Sequence, residues 1–468
     1  MFDLSEKTEA ELWELTSAEN LEERAEAVME LGVRCLNDER KVEASSLFST
    51  ALDLWIQVGD KTGIGRANFA NGVYHVDEER FAEGIPYLIA AASCYQFENR
   101  TSWEAEALWR LAIAYRGLDE IELQKETLKQ SIAASVSIDE FVKASHGENE
   151  LGNALCLQNK QEEGLAAFTR ALEYAQLAED PILCLKAQNM QAMALVDLGD
   201  HDKALANLRL NLDSALYLGD EELIAIIKND LGQTLIEVGL YEQGLELITP
   251  QSSRWKTAKL FDSAISVDIA RVEALIGLQR FEEAQELLKR LESIATSMDK
   301  TNKLASVCAL WAELLMKQGQ TELAYDYFTK SIMFSDEADK SWIARESTLS
   351  LAKVLVDQGE FDKSLELLST LSTKAAGDAR MAIARMFACH AQASALKGDY
   401  ESVEKDSDSL IELGDHFGFW PYQATGLEML SQKYGHEGDQ QASQNFAEIA
   451  RKAREKYEQV RGKFHDSQ

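Results

Sequence analysis

The side chains that carry most protein chemistry are present in this chain but scattered. The seven histidines are His75, His146, His201, His390, His416, His436 and His465. They show no metal-ligand spacing. There is no GxSxG, no HExxH, no phosphate-binding GxxxxGK[ST] and no GxGxxG after a strand. Carboxylate pairs such as Glu162/Glu163 and Glu282/Glu283 recur where helices should begin, and there they complement the helix dipole. The cysteines are Cys35, Cys94, Cys156, Cys184, Cys308 and Cys389, with no CxxC among them. Most sit among apolar residues and read as buried thiols of a reducing cytosol. The sequence therefore assigns no reaction, no catalytic residue, no metal and no cofactor, and the chain reads as a non-enzyme.

The elements that would position any site are dictated by composition and periodicity. The chain has 468 residues, with 80 acidic and 47 basic side chains and a net charge of −33. Apolar residues make up 46%, enough for an extensive core, and only 4 prolines occur. The charge opposes nucleic acid and anionic membranes as partners. The first residues, Met1 to Glu6, carry neither the basic nor the apolar stretch of a signal peptide, and no apolar run is long enough to cross a bilayer. A cytoplasmic location is expected.

A repeat organises the chain. Stepping by 40 residues from Gly32 gives Gly72, Ala112, Gly152, Ala192, Gly232, Val272, Ala312 and Ala352, almost all small. Twelve residues further on come Ala44, Gly84, Gln124, Gly164, Ala204, Gly244, Ala284, Ala324 and Ser364, again almost all small. Four residues later every position is large and apolar: Phe48, Leu88, Leu128, Phe168, Leu208, Ile248, Leu288, Phe328 and Leu368. Chance would fill that last column about once in a thousand trials. After Ser364 the phase slips by one residue. Each unit reads as two helices of roughly 16 residues joined by turns such as Gly199-Asp200 and Gly359-Glu360. Asp180-Pro181 reads as an N-cap followed by proline at the first helical position. One such hairpin cannot bury its apolar face alone, but a stack can.

The chain resembles the tetratricopeptide-repeat family. The resemblance rests on Gly152, Gly164, Phe168 and Ala171, and on Gly32, Ala44, Phe48 and Ala51, and it covers roughly residues 25–460. The 40-residue period is similar to that of the family's longer-helix variants. The family's usual tryptophan and its helix-closing proline are missing. The resemblance implies an all-α, right-handed α-solenoid of about eleven antiparallel helical hairpins. The shift of charge along the chain divides it into a capping helix over 1–24, acidic repeats over 25–250, further repeats over 251–450 and a basic end over 451–468. Leu12 and Trp13 are expected to turn onto the first hairpin. Pro86 should delay or kink its helix, and Pro250 should end its helix early and mark a joint between two sub-solenoids.

The resemblance also implies a concave face lined by the first helix of each hairpin. Reading one lining position along the chain gives Met29, Phe69 and Trp109, then Asn149, Asn189 and Asn229. The lining position one helical turn later gives Asn153, Met193 and Gln233. Amides present both donor and acceptor, which suits the main chain of an extended peptide. Phe69 and Trp109 would form an apolar anchor site beside them. The expected function is a scaffold that binds a peptide-like or helical segment of a partner protein, as a monomer or homodimer. A peptide-signal sensor without a DNA-binding domain is an alternative, and a helical-toroid enzyme is the rival from another class. Residues 1–250 carry a net charge of −26. With amides lining the face, that excess should lie on rims, turns and the convex side, and should favour a partner with a basic segment.

Overall fold

The computed structural model describes residues 4, 6–158, 160–257, 260–337, 341–372, 380–417 and 420–465. Among them every regular element is an α-helix. They are α1 (Glu9–Leu15), α2 (Leu21–Asn37), α3 (Lys41–Val58), α4 (Lys61–Asp77), α5 (Phe81–Phe97) and α6 (Thr101–Gly117). Next come α7 (Ile121–Val136), α8 (Phe141–Leu157), α9 (Gln161–Leu177), α10 (Pro181–Asp197), α11 (His201–Leu218) and α12 (Glu221–Glu237). Then follow α13 (Tyr241–Thr257), α14 (Phe261–Gly277), α15 (Phe281–Ser297), α16 (Thr301–Lys317), α17 (Thr321–Glu337) and α18 (Ser341–Asp357). The last are α19 (Phe361–Ser372), α20 (Arg380–Lys397), α21 (Tyr400–Phe417), α22 (Trp420–His436) and α23 (Gln440–His465). After α1 they pair into eleven hairpins, as the repeat predicts.

The repeat proves to have two equal halves. From residue 21 to residue 361 a helix starts every 20 residues. The frame then moves back by one, to 380, 400, 420 and 440, which is the slip read in the sequence. The turns keep the frame. Most of the described turns contain a residue in the left-handed region, such as Glu79 at φ 58° or Gly319 at φ 75°. The next N–H then reaches back into the last turn: Arg80 donates to the His75 carbonyl at 2.8 Å and Gln320 to Leu315 at 2.9 Å. The following helix often opens on a capping side chain. Asp60 accepts from the Gly63 N–H at 2.8 Å, and Asp180 from Leu183 at 3.0 Å, with Pro181 at the first helical position as expected.

The small and large columns fit into one another. All nine large residues, from Phe48 to Leu368, are buried. A Cβ added at Gly152 would lie 2.5 Å from the Phe168 ring, and one at Gly232 would lie 2.4 Å from Ile248. The first small residue thus makes room for the large one of the next helix. The second lets the two backbones meet: a Cβ at Gly84 would sit 3.0 Å from the Gly72 carbonyl oxygen. Where that column holds Ser364, its hydroxyl donates to the equivalent carbonyl, Ala352, at 2.9 Å.

Three expectations are corrected. α5 starts on its frame at Phe81 despite Pro86, and α13 runs through Pro250 to Thr257. Each proline removes one N–H from one helix, and packing by the neighbouring helices outweighs that loss. Leu12 is buried but Trp13 is 42% exposed, its indole N–H turned to Glu9 of its own helix. By packing, the chain divides into two compact units. The first holds residues up to Gln158 with Glu163–Met190, and the second holds Asn159–Glu162 with Gln191 onward. The basic end forms the last part of α23; the side chains of Arg461 and Lys463 lie outside the described residues.

Candidate functional site

In the first unit the face of the first helices carries an apolar cavity. Met29 on α2 and Phe69 on α4 share one register and line a cavity of about 380 Å³ with Tyr95 and Trp103. Tyr95 and Trp103 meet edge to face, ring centroids 5.3 Å apart. Burial holds the Tyr95 phenol protonated. Arg66 and Lys143 reach the same cavity, each restrained by acids. Arg66 pairs with the buried Glu26 at 2.9 Å. Lys143 pairs with Glu140 at 2.9 Å and donates to the Ser102 carbonyl at 3.3 Å.

Trp109 on α6 does not enter this cavity. It lines a neighbouring one of about 160 Å³ with Ser131 and His146, and Glu106 and Lys143 line both. Burial lowers the His146 pKa, so its ring is neutral at pH 7. The Arg110 guanidinium stands 5.2 Å from the centre of the Trp109 ring and pairs with Asp77 and Glu106 at 3.6 Å each. With Glu30–Arg34 at 2.9 Å and Arg116–Glu150 at 2.6 Å, these pairs balance much of the charge on this face.

The amides differ from one another in availability. Asn149 and Asn153 on α8 are half-buried, whereas Asn189 on α10 is only 3% exposed. In the second unit Met193, Asn229 and Gln233 are half-buried. There the Gln233 amide donates to Asn229 Oδ1 at 3.0 Å, and Asn229 donates to Asp230 Oδ1 at 3.2 Å.

In the second unit this face also carries acids. Asp197 on α10, Glu237 on α12, Glu273 on α14 and Glu313 on α16 are open to solvent yet walled by protein. Loss of bulk water raises all four. Glu237 is pushed up to about 8, further raised by the charges of Glu273 and Asp197. Glu273 reaches about 7, with Glu313 adding repulsion, and Asp197 about 6. No ion pair neutralises them among the described residues.

Two signals in the sequence lead to residues that the lining-position reading passes over. Extending the column Asn153, Met193, Gln233 gives Glu273, Glu313 and Lys353. Stepping by 40 from Glu26 gives Arg66, Glu106, His146 and Lys186, a charged column that contains four of the side chains described above. Tyr95 lies on a second helix and had no signal on the first-helix columns. Among the described residues no group of histidine, cysteine and carboxylate side chains could hold a metal, and no helix is long and apolar enough to cross a membrane.

The comparison with curated proteins gave no match. A tetratricopeptide-repeat family profile matches residues 186–209, within α10 and α11. Among solved structures, the apo quorum sensor NprR of B. thuringiensis is similar at TM-score 0.51 and 12% identity, over 77% of this chain and 99% of that one. A signal-transduction ATPase with a tetratricopeptide-repeat sensor from Pyrococcus horikoshii aligns at TM-score 0.49 and 16% identity, over 72% of this chain. That alignment spans 54% of the ATPase, about half its length. The Rap conjugation gene regulator of plasmid pLS20, solved with a Phr peptide, aligns at TM-score 0.49 and 13% identity, over 72% of this chain and 96% of that one. The interlocking small and large columns, the eleven hairpins and the matched segment give the described residues the fold of an all-α array of tetratricopeptide-like hairpins with a 40-residue period.

Proposed function

We propose that the chain is a binding scaffold that takes a peptide-like or helical segment of a partner protein on its first-helix face. The carrying observation is the cavity between Met29, Phe69, Tyr95 and Trp103. Its walls are apolar and aromatic, and its charged neighbours are already paired with one another. A large apolar side chain of the partner would fill it and be the principal anchor. Asn149 and Asn153 would add hydrogen bonds to the partner's main chain, and Trp109 would add apolar area. Asn229, Gln233 and Met193 would contact a segment on the second unit. Asn189 is assigned to structure, because its side chain is buried. The unpaired carboxylates of the second unit support a partner with a basic segment. A free peptide signal, of the kind bound by the Rap regulator, could use the same face.

A photoreactive benzoylphenylalanine at position 69 tests this reading. The control is the same group at Val42, which is 84% exposed on a second helix. The Phe69 position is expected to cross-link one defined partner segment, and the Val42 position is not. Equal labelling from both positions would contradict the proposal. The mass of the adduct separates a free peptide from a segment of a larger protein.

A further inference from the structure

A second cavity, in the second unit, carries charges of both signs. It holds about 500 Å³, within the range of sites that enclose small molecules. Glu313 and Lys317 reach it from α16, Lys353 and Asp357 from α18, and Arg385 from α20. Its floor is apolar, with Met316, Leu349 and Val354.

The charges are set in an alternating square. Glu313 and Lys353 hold one register position on successive first helices, and Lys317 and Asp357 hold the position one turn later. Along each helix, and across from one helix to the next, every neighbour has the opposite sign. Acid and base four residues apart on one helix can close into a pair, as Glu30 and Arg34 do at 2.9 Å and Glu106 and Arg110 at 3.6 Å. None of these four charges closes a pair here, either along its helix or across to the next. Of the charged residues lining this cavity, Arg385 alone has an ion-pair partner among the described residues, Glu346, which fixes its guanidinium at the wall. The charges nonetheless look onto one space. The Cys389 thiol, itself raised by burial, feels Arg385, Lys353 and Asp357 together.

From this arrangement we infer that the cavity binds a small zwitterion, a free amino acid or a short unblocked peptide with apolar side chains. Its ammonium group lies against Glu313 or Asp357. Its carboxylate lies among Lys317, Lys353 and Arg385, and its side chains rest on Met316, Leu349 and Val354. A ligand with one sign of charge would satisfy half the square and be repelled by the other half. A zwitterion satisfies both halves and bridges the charges that the protein keeps apart. The inference does not rest on the anchor cavity of the first unit.

Saturation-transfer NMR on the full chain tests it with three probes: leucyl-phenylalanine, its N-acetyl derivative and its C-terminal amide. The unblocked dipeptide is expected to bind, and each blocked form to bind at least about ten-fold more weakly, the equivalent of one lost charged hydrogen bond. Lys317→Gln with Lys353→Gln should abolish the preference for the free carboxylate, and Glu313→Gln with Asp357→Gln the preference for the free amine. The comparison of probes on the unaltered protein stands even if a variant misfolds. Equal binding of blocked and unblocked forms, or no binding by any of them, would overturn the proposal.

Discussion

At the scale of single residues, the fold depends on a matched pair in most hairpins, one residue small and one large. Gly152 and Phe168 are the clearest case, because a single added methyl would overlap the ring at 2.5 Å. Gly152→Ala should therefore destabilise the fourth hairpin although alanine is the better helix former. Adding Phe168→Leu should restore part of the loss, and a double-mutant cycle by chemical denaturation measures it. Phe168→Ala alone should cost about 3–5 kcal/mol, with faster amide exchange centred on residues 145–195. Unchanged exchange there would contradict the pairing. Such columns were legible because close backbone approach permits few residue types, so they repeat in the sequence. Trp13 and Asn189 were not legible in the same way. Which side of a helix meets a neighbour and which meets solvent depends on packing that residue type alone does not encode.

At the scale of elements, the 20-residue frame is set by the turns. At many of them a side chain occupies a left-handed position that glycine adopts more easily. Glu79 is exposed at φ 58°, so Glu79→Gly should stabilise the second hairpin by about 0.5–1 kcal/mol in spite of glycine's entropy cost. Gly319 has φ 75° and open space around it, so Gly319→Ala should cost about 1 kcal/mol through the backbone alone. Thermal melts of both variants would measure this, and a stabilising Gly319→Ala would contradict the assigned turn. The hairpins, their number and the one-residue slip were all legible, because turn residues and apolar columns mark them independently. Proline's effect was not legible: Pro250 breaks an isolated helix, whereas α13 is held by helices packed along it.

At the scale of the whole molecule, the charge has two different settings. By compact unit the excess is nearly even, with 34 acidic and 16 basic residues in the first and 46 and 31 in the second. On the first-helix face, however, Glu26, Glu30, Glu106 and Glu150 of the first unit are paired, whereas Asp197, Glu237, Glu273 and Glu313 of the second have no ion-pair partner among the described residues. Reading charge by stretches of sequence missed this, because pairing joins residues about 40 apart. Glu237, Glu273 and Asp197 bind protons more readily folded than unfolded. Their penalty is absent at low pH, where both states are protonated. Stability of the second unit should fall as pH rises from about 4 to above about 8 through these groups. Melting across that range should show it, and Glu237→Gln should flatten the slope. A rise in stability toward pH 8 would have the wrong sign. Association with a basic partner should also slow as salt rises from ~0.05 to ~0.5 M, with dissociation changing less.

The claim on which the account turns is that a partner lies on the first helices of the hairpins. Amide hydrogen exchange of the full chain, with and without the segment captured at position 69, tests it most directly. Slower amide exchange is expected along α2, α4, α6 and α8, centred on Met29, Phe69 and Trp103. Protection confined to the second helices α3, α5 and α7, with the first helices unchanged, would contradict it.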